Sequence, residues 1–343
     1  MNLITGATGL LGSHIAEQLR QDGQPVRALI RATSTTNVPF LEAIGVTLVT
    51  GDLADPASLA RAMQGVQTVY HSAAKVGDWG TRNEFERETI QGTRNVVDAC
   101  LTASVQRLIH ISSTSAYGHP EPGGKPIDET FPLGDRFWMW DDYTKAKIAA
   151  EKYIWDAISQ RGLHATLIRP SWMYGPRDRL SIFRIAKSLQ RGRVRIIGDG
   201  SNPMNSVYAG NVAQACILAA NQPQADGQAY NITNDGVITQ RDYFNTYADA
   251  LKLPRPTKRI PYGVAYASAW CLEAIFRLFK IKRPPFITRY ATWLLGRHTF
   301  YSTEKAHREL GWKPRIGYQE GIARTVAWYQ EQLAALPSSA ATA

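Results

Sequence analysis

The first candidate site is a run of glycines that follows a short apolar strand near the start of the chain. Thr5–Gly12 reads TGATGLLG, with glycines at three-residue intervals. Gly6 would permit a tight turn, Gly9 would let the backbone approach a diphosphate, and Gly12 would allow close packing of helix on strand. The following helix N-terminus offers free N–H groups to phosphates. A glycine run alone is common in turns, but this strand–helix position predicts dinucleotide binding. The expected contacts are Gly6, Thr8, Gly9, Leu10 and Leu11.

The residue after the second strand distinguishes the two nicotinamide dinucleotides. An enzyme that binds NAD usually carries Asp or Glu here, where it binds the ribose hydroxyls. This chain has Arg31, followed by Thr33 and Ser34. Because a guanidinium can pair with the 2′-phosphate of NADP, we expect NADP. The alternative is NAD, with Arg31 merely facing solvent.

Two further strand ends extend the predicted cofactor site. Asp52, after the third strand, could accept a hydrogen bond from the adenine amino group, whereas Asp55 better suits a helix cap before Pro56. Small residues after the fourth strand would let the backbone approach the cofactor, and simple packing is the competing interpretation. The contacts expected here are Asp52, Leu53, Ser72, Ala73 and Ala74.

Six segments together resemble the extended short-chain dehydrogenase/reductase superfamily over nearly the whole chain. They are TGATGLLG, GDL, HSAA, SSTSAYG, YTKAK and RPSWMYGP, in the order and spacing of that superfamily. The resemblance implies a catalytic Tyr143–Lys147 pair, with Ser113 at a strand end and Thr114 as the fallback for Ser113. It also implies that the backbone beside the nicotinamide comes from Pro170, Ser171 and Met173.

The implied catalytic group suits proton transfer coupled to hydride transfer. Four-residue spacing puts Tyr143 and Lys147 on one helix face. Tyrosine has a pKa near 10, and the Lys147 ammonium and a positive nicotinamide favour its phenolate. Tyr143 would exchange a proton with the substrate oxygen, which Ser113 would hold in place. The family often has Asn in a proton relay where this chain has Thr89. The relay is altered unless the backbone carbonyl alone performs it.

The substrate is constrained by the residues after the catalytic serine and by the C-terminal half. Sugar-nucleotide dehydratases of this superfamily carry Asp-Glu where this chain has Thr114 and Ser115. The C-terminal half is most similar to the 3β-hydroxysteroid dehydrogenase and sterol-4-carboxylate 3-dehydrogenase group, whose bacterial members include reductases of long-chain β-keto acids. The segments that carry this similarity are 198–202, 205–213, 230–234 and 302–306. The expected substrate contacts are Lys75, Trp79, Thr114, Ser115 and Trp172.

An apolar, basic segment agrees with a hydrophobic substrate. Residues 262–279 are rich in aromatics, and Lys280, Lys282 and Arg283 follow, with a second apolar stretch at 290–295. Such a pattern is typical of a helix on a membrane surface or of an apolar lid. An ordinary buried helix is the alternative. We therefore expect a hydrophobic small-molecule substrate, with peripheral membrane contact through 262–295 as one interpretation.

The elements that must position these residues alternate between strand and helix. Strands are predicted at 2–5, 26–30, 47–50, 68–71, 107–112 and 166–169, with helices between them. This alternation predicts an α/β fold with a doubly wound parallel Rossmann sheet and a smaller C-terminal α/β substrate lobe. We place the Rossmann domain at 1–170, with 207–220 returning to it, and the substrate lobe at 171–336. The segment 337–343 is expected to be a disordered tail.

Composition excludes several other classes. The 343 residues carry a net charge of +10, which suits a basic surface, an anionic cofactor or an acidic membrane. No basic run with interleaved aromatics predicts nucleic-acid binding. Three scattered cysteines and seven histidines without close pairs predict no disulfides and no metal. The sequence has neither a signal-peptide pattern nor a long apolar run, so a cytoplasmic protein is expected, with membrane association kept open.

The leading hypothesis is an NAD(P)-dependent dehydrogenase/reductase that interconverts a secondary alcohol and a ketone on a sterol-like or long-chain substrate. A nucleotide-sugar epimerase would use the same catalytic group without net cofactor change. A non-catalytic NADP-sensing regulator is the alternative of another class, and a broken catalytic group would favour it. A homodimer is a further expectation.

Overall fold

The computed structural model describes residues 1–120 and 124–335, so the predicted tail lies outside the described residues. The strands are β1 (Asn2–Thr5), β2 (Val26–Ile30), β3 (Thr47–Thr50), β4 (Thr68–His71), β5 (Arg107–Ile111), β6 (Ala165–Pro170), β7 (Trp172–Tyr174), β8 (Ile196–Ile197), β9 (Ser206–Tyr208), β10 (Gln228–Ile232) and β11 (Arg259–Ile260). The α-helices are α1 (Leu10–Gln21), α2 (Val38–Ala43), α3 (Pro56–Ala62), α4 (Arg82–Phe85), α5 (Gly92–Thr102), α6 (Asp142–Arg161), α7 (Ser181–Gln190), α8 (Ala209–Asn221), α9 (Gln240–Ala250), α10 (Tyr262–Leu278), α11 (Arg289–Gly296), α12 (Glu304–Leu310) and α13 (Tyr318–Ala334).

A seven-stranded parallel sheet forms the centre of the molecule, which confirms the predicted doubly wound fold. Its order is β10-β6-β5-β4-β1-β2-β3. Every neighbouring pair runs parallel. Because β1 lies between β4 and β2, the winding reverses there and opens a crevice at the carboxyl ends of these strands. The seventh strand, β10, was not predicted and lies beside β6 at one edge.

Helices cover both faces of this sheet and explain why its central strands are largely apolar. Leu108 and Ile109 on β5, and Leu167 and Ile168 on β6, are fully buried. Helices α1 and α8 contribute to the core on one face, and α3, α5 and α6 to the core on the other. A parallel sheet buried on both faces needs such continuous apolar strands.

The chain after Pro170 builds a smaller lobe beside the carboxyl ends of the central strands. Short parallel pairs join β7 to β9 and β8 to β11. A separate core contains Tyr174, Tyr243 and Tyr318 and is closed by α7, α9 and α13. Helix α8 packs instead on α1, and the Gln18 side chain donates to the Gly210 carbonyl at 2.8 Å. The smaller lobe is thus tied to the Rossmann lobe through α8.

A π-helical segment, Glu86–Gln91, lies between α4 and α5, and the chain becomes α-helical at Gly92. The wider π turn re-aims side chains within a continuous helix and is frequent at functional sites. In the described ranges, no helix combines the length and apolarity needed to cross a membrane.

Candidate active site

A cavity of about 1040 Å³ opens at the carboxyl ends of the central strands, where the winding reverses. It brings together nearly all of the predicted site residues, which come from both lobes. Those that line it are Gly6, Thr8, Gly9, Leu10, Leu11, Arg31, Asp52, Leu53, Ser72, Ala73, Ala74, Lys75, Ser113, Thr114, Tyr143, Lys147, Pro170, Ser171, Trp172 and Met173. The cavity walls do not include the predicted contacts Trp79 and Ser115.

The glycine run forms the tight cradle that a dinucleotide phosphate needs. Gly6 has φ +73°, and a Cβ there would lie 2.7 Å from the Ala73 nitrogen. A Cβ on Gly12 would lie 2.3 Å from the Gly6 carbonyl oxygen. Helix α1 begins at Leu10, directly over this turn, so its free N–H groups face the cavity. The space and the donors fit a nicotinamide dinucleotide.

The far wall offers a polar atom that is suited to the same ligand. The Ser171 hydroxyl is buried, and no hydrogen-bond partner for it occurs in the described part of the chain. A buried unpaired hydroxyl is costly in a native fold, so a bound ligand is a natural partner for it. Ser171 lies between β6 and β7, where the chain leaves the central sheet.

The end of β2 presents no carboxylate to the cavity. Arg31 is exposed, and Ser34 and Thr36 line the same region. The sequence predicted Arg31 as a contact but not Thr36, since a loop of Ser and Thr has no periodic signal. Asp52 also lines the cavity, and its Oδ1 accepts from the Ala54 backbone at 2.8 Å. The side chain of Asp55 caps α3, as the sequence favoured.

The catalytic candidates meet between β5 and α6. The Asp141 side chain accepts from the Thr144 backbone at 3.0 Å and so begins α6 just before Tyr143. The Lys147 ammonium is buried and donates to the Ile111 carbonyl at 3.0 Å. Ser113 starts a turn after β5, and its Oγ accepts from the Ser115 backbone at 3.1 Å. These backbone contacts fix the group on regular elements.

Burial raises the pKa of Tyr143, and the carboxyls of Asp141 and Asp78 act in the same direction. The hydroxyls of Ser113 and Ser115 oppose this rise. The net direction of the pKa is upward, which keeps the Tyr143 phenol protonated at neutral pH. The expected effect of Lys147 together with a bound nicotinamide stays a prediction.

Burial also lowers the pKa of Lys147 to about 8, against the opposing effect of Glu151 one turn along α6. Glu151 is fully buried. Its carboxylate accepts a hydrogen bond from the Ser112 hydroxyl at 2.5 Å and another from Arg169 Nε at 2.9 Å. Arg169 Nη1 in turn donates to the Tyr117 hydroxyl at 2.8 Å. This buried network ties α6 to β5 and β6 behind the catalytic candidates, and no sequence pattern indicated it.

Thr89, which replaces the family's relay Asn, has another contact here. Its hydroxyl accepts from the Lys75 backbone at 3.1 Å, and it lies in the π-helical segment. The Lys75 ammonium lies 3.5 Å from a Glu84 carboxylate oxygen. Thr89 thus holds the loop after β4 at the cavity wall.

Residues from α11 and the loop before it form the wall opposite the Rossmann sheet. Phe286, Tyr290 and Leu294 line the cavity, and the Tyr290 ring meets the Tyr143 ring edge-on at 6.1 Å. The apolar stretch at 290–295 was the sequence signal for this wall. Trp79 does not reach the cavity, because it packs on Phe276 of α10 and donates to the Ile281 carbonyl at 3.3 Å.

The Rossmann sheet, the glycine cradle and a Tyr–Lys pair facing the same cavity define a dinucleotide-dependent enzyme. A sequence model of the NAD dependent epimerase/dehydratase family matches residues 2–233. The protein belongs to this family. Its relatives include oxidoreductases, and it is an NAD(P)-dependent enzyme of the extended short-chain dehydrogenase/reductase type.

Individual relatives cover almost the whole chain. The 2-alkyl-3-oxoalkanoate reductase of Stenotrophomonas maltophilia (strain K279a) is 33% identical over 95% of this chain and 98% of its own length. The decarboxylating sterol-4-alpha-carboxylate 3-dehydrogenase of Mus musculus is 30% identical over 94% of this chain and 89% of its own. These relatives confirm the resemblance to the steroid dehydrogenase group.

Solved structures share the fold along the same length. The crystal structure of gox2253 has a TM-score of 0.80 and 28% identity, and the match covers 97% of this chain and 98% of that one. The UDP-glucuronic acid 4-epimerase of Bacillus cereus, solved with NAD, has a TM-score of 0.75 and 20% identity, covering 96% and 99%. The second likeness shows the fold alone.

Proposed function

We propose that this protein is an NADP-preferring reductase that converts a ketone to a secondary alcohol on an apolar substrate, either a long-chain 2-alkyl-3-oxo acid or a 3-oxosteroid. The observation that carries the proposal is the set of apolar side chains that the smaller lobe contributes to the cavity, namely Trp172, Ile185, Phe286, Leu294 and Leu295. Tyr290 of the same wall meets the Tyr143 ring edge-on. An apolar pocket with a few polar groups at one end suits a hydrophobic ligand with one reacting oxygen.

Tyr143 and Ser113 would handle the reacting oxygen. The dinucleotide, when bound, supplies the hydride for the carbonyl carbon. The Tyr143 hydroxyl donates its proton to the carbonyl oxygen, and the Ser113 hydroxyl donates a hydrogen bond that fixes that oxygen. The Lys147 ammonium then stabilises the phenolate left on Tyr143. The raised pKa of Tyr143 keeps its hydroxyl protonated at neutral pH, which is the form that donates.

The preference for NADP rests on the end of β2. Arg31, Ser34 and Thr36 line the cavity there, and β2 is followed by no carboxylate that would hold ribose hydroxyls. A guanidinium flanked by hydroxyls suits a phosphate monoester. The residues proposed to hold the rest of the dinucleotide are Gly6, Thr8, Gly9, Leu10, Leu11, Asp52, Leu53, Ser72, Ala73, Ala74, Pro170, Ser171 and Met173.

A nucleotide-sugar epimerase is the second candidate, and one observation favours it. Arg179 and Arg184 line the cavity with exposed side chains, and neither forms an ion pair within residues 1–120 and 124–335. Guanidinium groups at a cavity mouth suit the diphosphate of a sugar nucleotide. Dehydration is disfavoured, because Thr114 and Ser115 supply no acid/base carboxylate.

The two candidates differ in net redox change. We expect purified protein to oxidise NADPH with a long-chain 2-alkyl-3-oxo acid or a 3-oxosteroid, and to leave UDP-sugars unchanged. Epimer formation from a UDP-sugar, without net oxidation of NADPH by either ketone, would replace the reductase proposal with the epimerase. Homodimer formation and peripheral membrane contact through 262–295 remain proposals, and the latter is developed below.

A further inference from the structure

Helix α10 directs an apolar stripe away from the protein. Val264, Ala267, Cys271, Ile275 and Leu278 recur at intervals of three or four residues and are exposed. The opposite face buries Ala265, Ala269 and Glu273. A surface helix normally presents polar residues on its outer face, so an apolar outer face is unusual.

Larger side chains extend this surface along α10 and beyond its C-terminal end. Trp270, Leu278, Phe279 and Phe286 are 55%, 76%, 70% and 68% exposed. Contiguous exposed apolar side chains of this size mark an interaction site. We call α10 together with residues 279–286 the docking surface.

The charge of the docking surface has one sign. Arg277, Lys280, Lys282 and Arg283 are exposed, and Glu273 is the one acidic residue between 262 and 303. The Glu273 carboxylate faces inward and pairs with Arg289 at 2.7 Å. Basic residues suit the anionic head groups of a lipid surface, and the apolar residues beside them suit the acyl chains beneath.

The docking surface is continuous with the mouth of the catalytic cavity. Phe286 is exposed and also lines the cavity, as do Val76 and Leu180 from two other segments. Trp79 ties the Val76 loop to α10 through Phe276. An apolar rim would let a hydrophobic molecule pass from lipid into the cavity with little contact with water.

We propose that the docking surface binds the face of an anionic lipid bilayer and opens the cavity towards it. A second copy of the chain fits the surface less well. In a symmetric dimer, the basic residues of each copy would face the docking surface of the other copy. That surface offers no exposed carboxylate to pair with them. Phospholipid head groups supply that charge. Lipid binding goes beyond the proposed reduction and does not require it.

The test is co-sedimentation of the full chain with vesicles of phosphatidylcholine alone or mixed with phosphatidylglycerol. We expect binding to the anionic vesicles, weakened by salt, and little binding to the neutral ones. The double variant K280Q/K282Q should bind at least tenfold more weakly, given roughly fivefold per charge near such a surface. L278E/F279E should also lose at least tenfold. V237E, which alters another highly exposed apolar residue, should bind like the wild type.

Two outcomes would overturn the inference. One is equal binding of the wild type and both double variants. The other is a dimer in light scattering that L278E/F279E converts to a monomer, which would assign the surface to a second copy. Vesicle binding is measured without turnover, so it is independent of the proposed reaction. NADPH oxidation with a short, water-soluble 3-oxo acid should be the same in the wild type and the double variants.

Discussion

Helices α6 and α10 are of similar length, 20 and 17 residues, yet they depart from ordinary burial in opposite directions. Helix α6 buries the charged Lys147 and Glu151, whereas α10 exposes Trp270 and Leu278. Buried charge and exposed apolar surface are the two unusual observations in a folded protein. Each raises the free energy of the folded state unless another interaction offsets the cost. In α6 the compensation is an internal hydrogen-bond network, and in α10 we assign it to a lipid surface.

The largest effect should come from breaking the network behind α6. Replacing Glu151 by Ala leaves the buried Arg169 guanidinium unpaired and should lower the free energy of unfolding by about 3–5 kcal/mol. Urea denaturation measures this loss. The double variant E151A/R169M removes both charges and should recover part of it. A loss below about 1 kcal/mol in E151A would show that the network does not hold the catalytic helix in place.

The next effect concerns the dinucleotide. Replacing Arg31 by Gln should weaken NADPH binding by roughly 10- to 100-fold, since hydrogen bonds to charged groups contribute about 1.5–3 kcal/mol. NADH binding should change little. Fluorescence titration of both dinucleotides tests this, with R61Q as a matched exposed control on α3. Equal weakening of NADPH and NADH would remove the case for a 2′-phosphate site.

A smaller, graded effect should appear in the pH dependence of the rate of ketone reduction. The pKa of Lys147 is lowered to about 8, so its ammonium is present below pH 8 and is lost above it. If that charge stabilises the Tyr143 phenolate, the rate of ketone reduction should fall up to about tenfold per pH unit above 8. K147R keeps its charge and should move this fall to higher pH. A profile that is flat to about pH 10 in the wild type would contradict the role of Lys147.

The same shift has a consequence for stability. The folded pKa of Lys147 lies below the unfolded value of about 10.4. Between these values the unfolded chain binds more protons, so the contribution of Lys147 to stability rises with pH.

The smallest effect should come from the exposed helix. Replacing Leu278 by Glu should change the free energy of unfolding by less than about 0.5 kcal/mol, because the side chain is largely in solvent. In contrast, I154A in the buried face of α6 should cost about 2–5 kcal/mol. Thermal or urea unfolding compares the two. A loss above about 1 kcal/mol in L278E would mean that α10 is packed in solution, and the contrast between the helices would fail.

The sequence predicted the parts of this structure that depend on local pattern. The six predicted strands and the glycine turn depend on short apolar runs and on residue type, which a single segment carries. The strand β10 was missed because it follows the smaller lobe and returns to the sheet from a distant part of the chain. For α10 the sequence left open a membrane contact, a lid and a buried helix, since apolar composition does not reveal which side meets solvent.

In the candidate site too, features carried by one short segment were predicted, and contacts between distant segments were not. Residues such as Tyr143 and Gly6 were predicted from motifs, and the structure gathers them in one cavity. The Ile111 carbonyl that holds Lys147, and the Glu151–Arg169 pair, depend on contacts between distant elements. Trp79 was predicted as a contact for an apolar substrate, with a loop anchor as the alternative. In the structure it packs on Phe276 and donates to the Ile281 carbonyl, about 200 positions further along the chain.

The role of Tyr143 is tested by NADPH oxidation at about pH 7 with a 2-alkyl-3-oxo acid, in the wild type and in Y143F. We expect turnover by the wild type and a loss of about 10²- to 10⁴-fold in Y143F, with the Kd for NADPH within about threefold. A Y143F rate close to that of the wild type would contradict the assignment of Tyr143 as the proton donor.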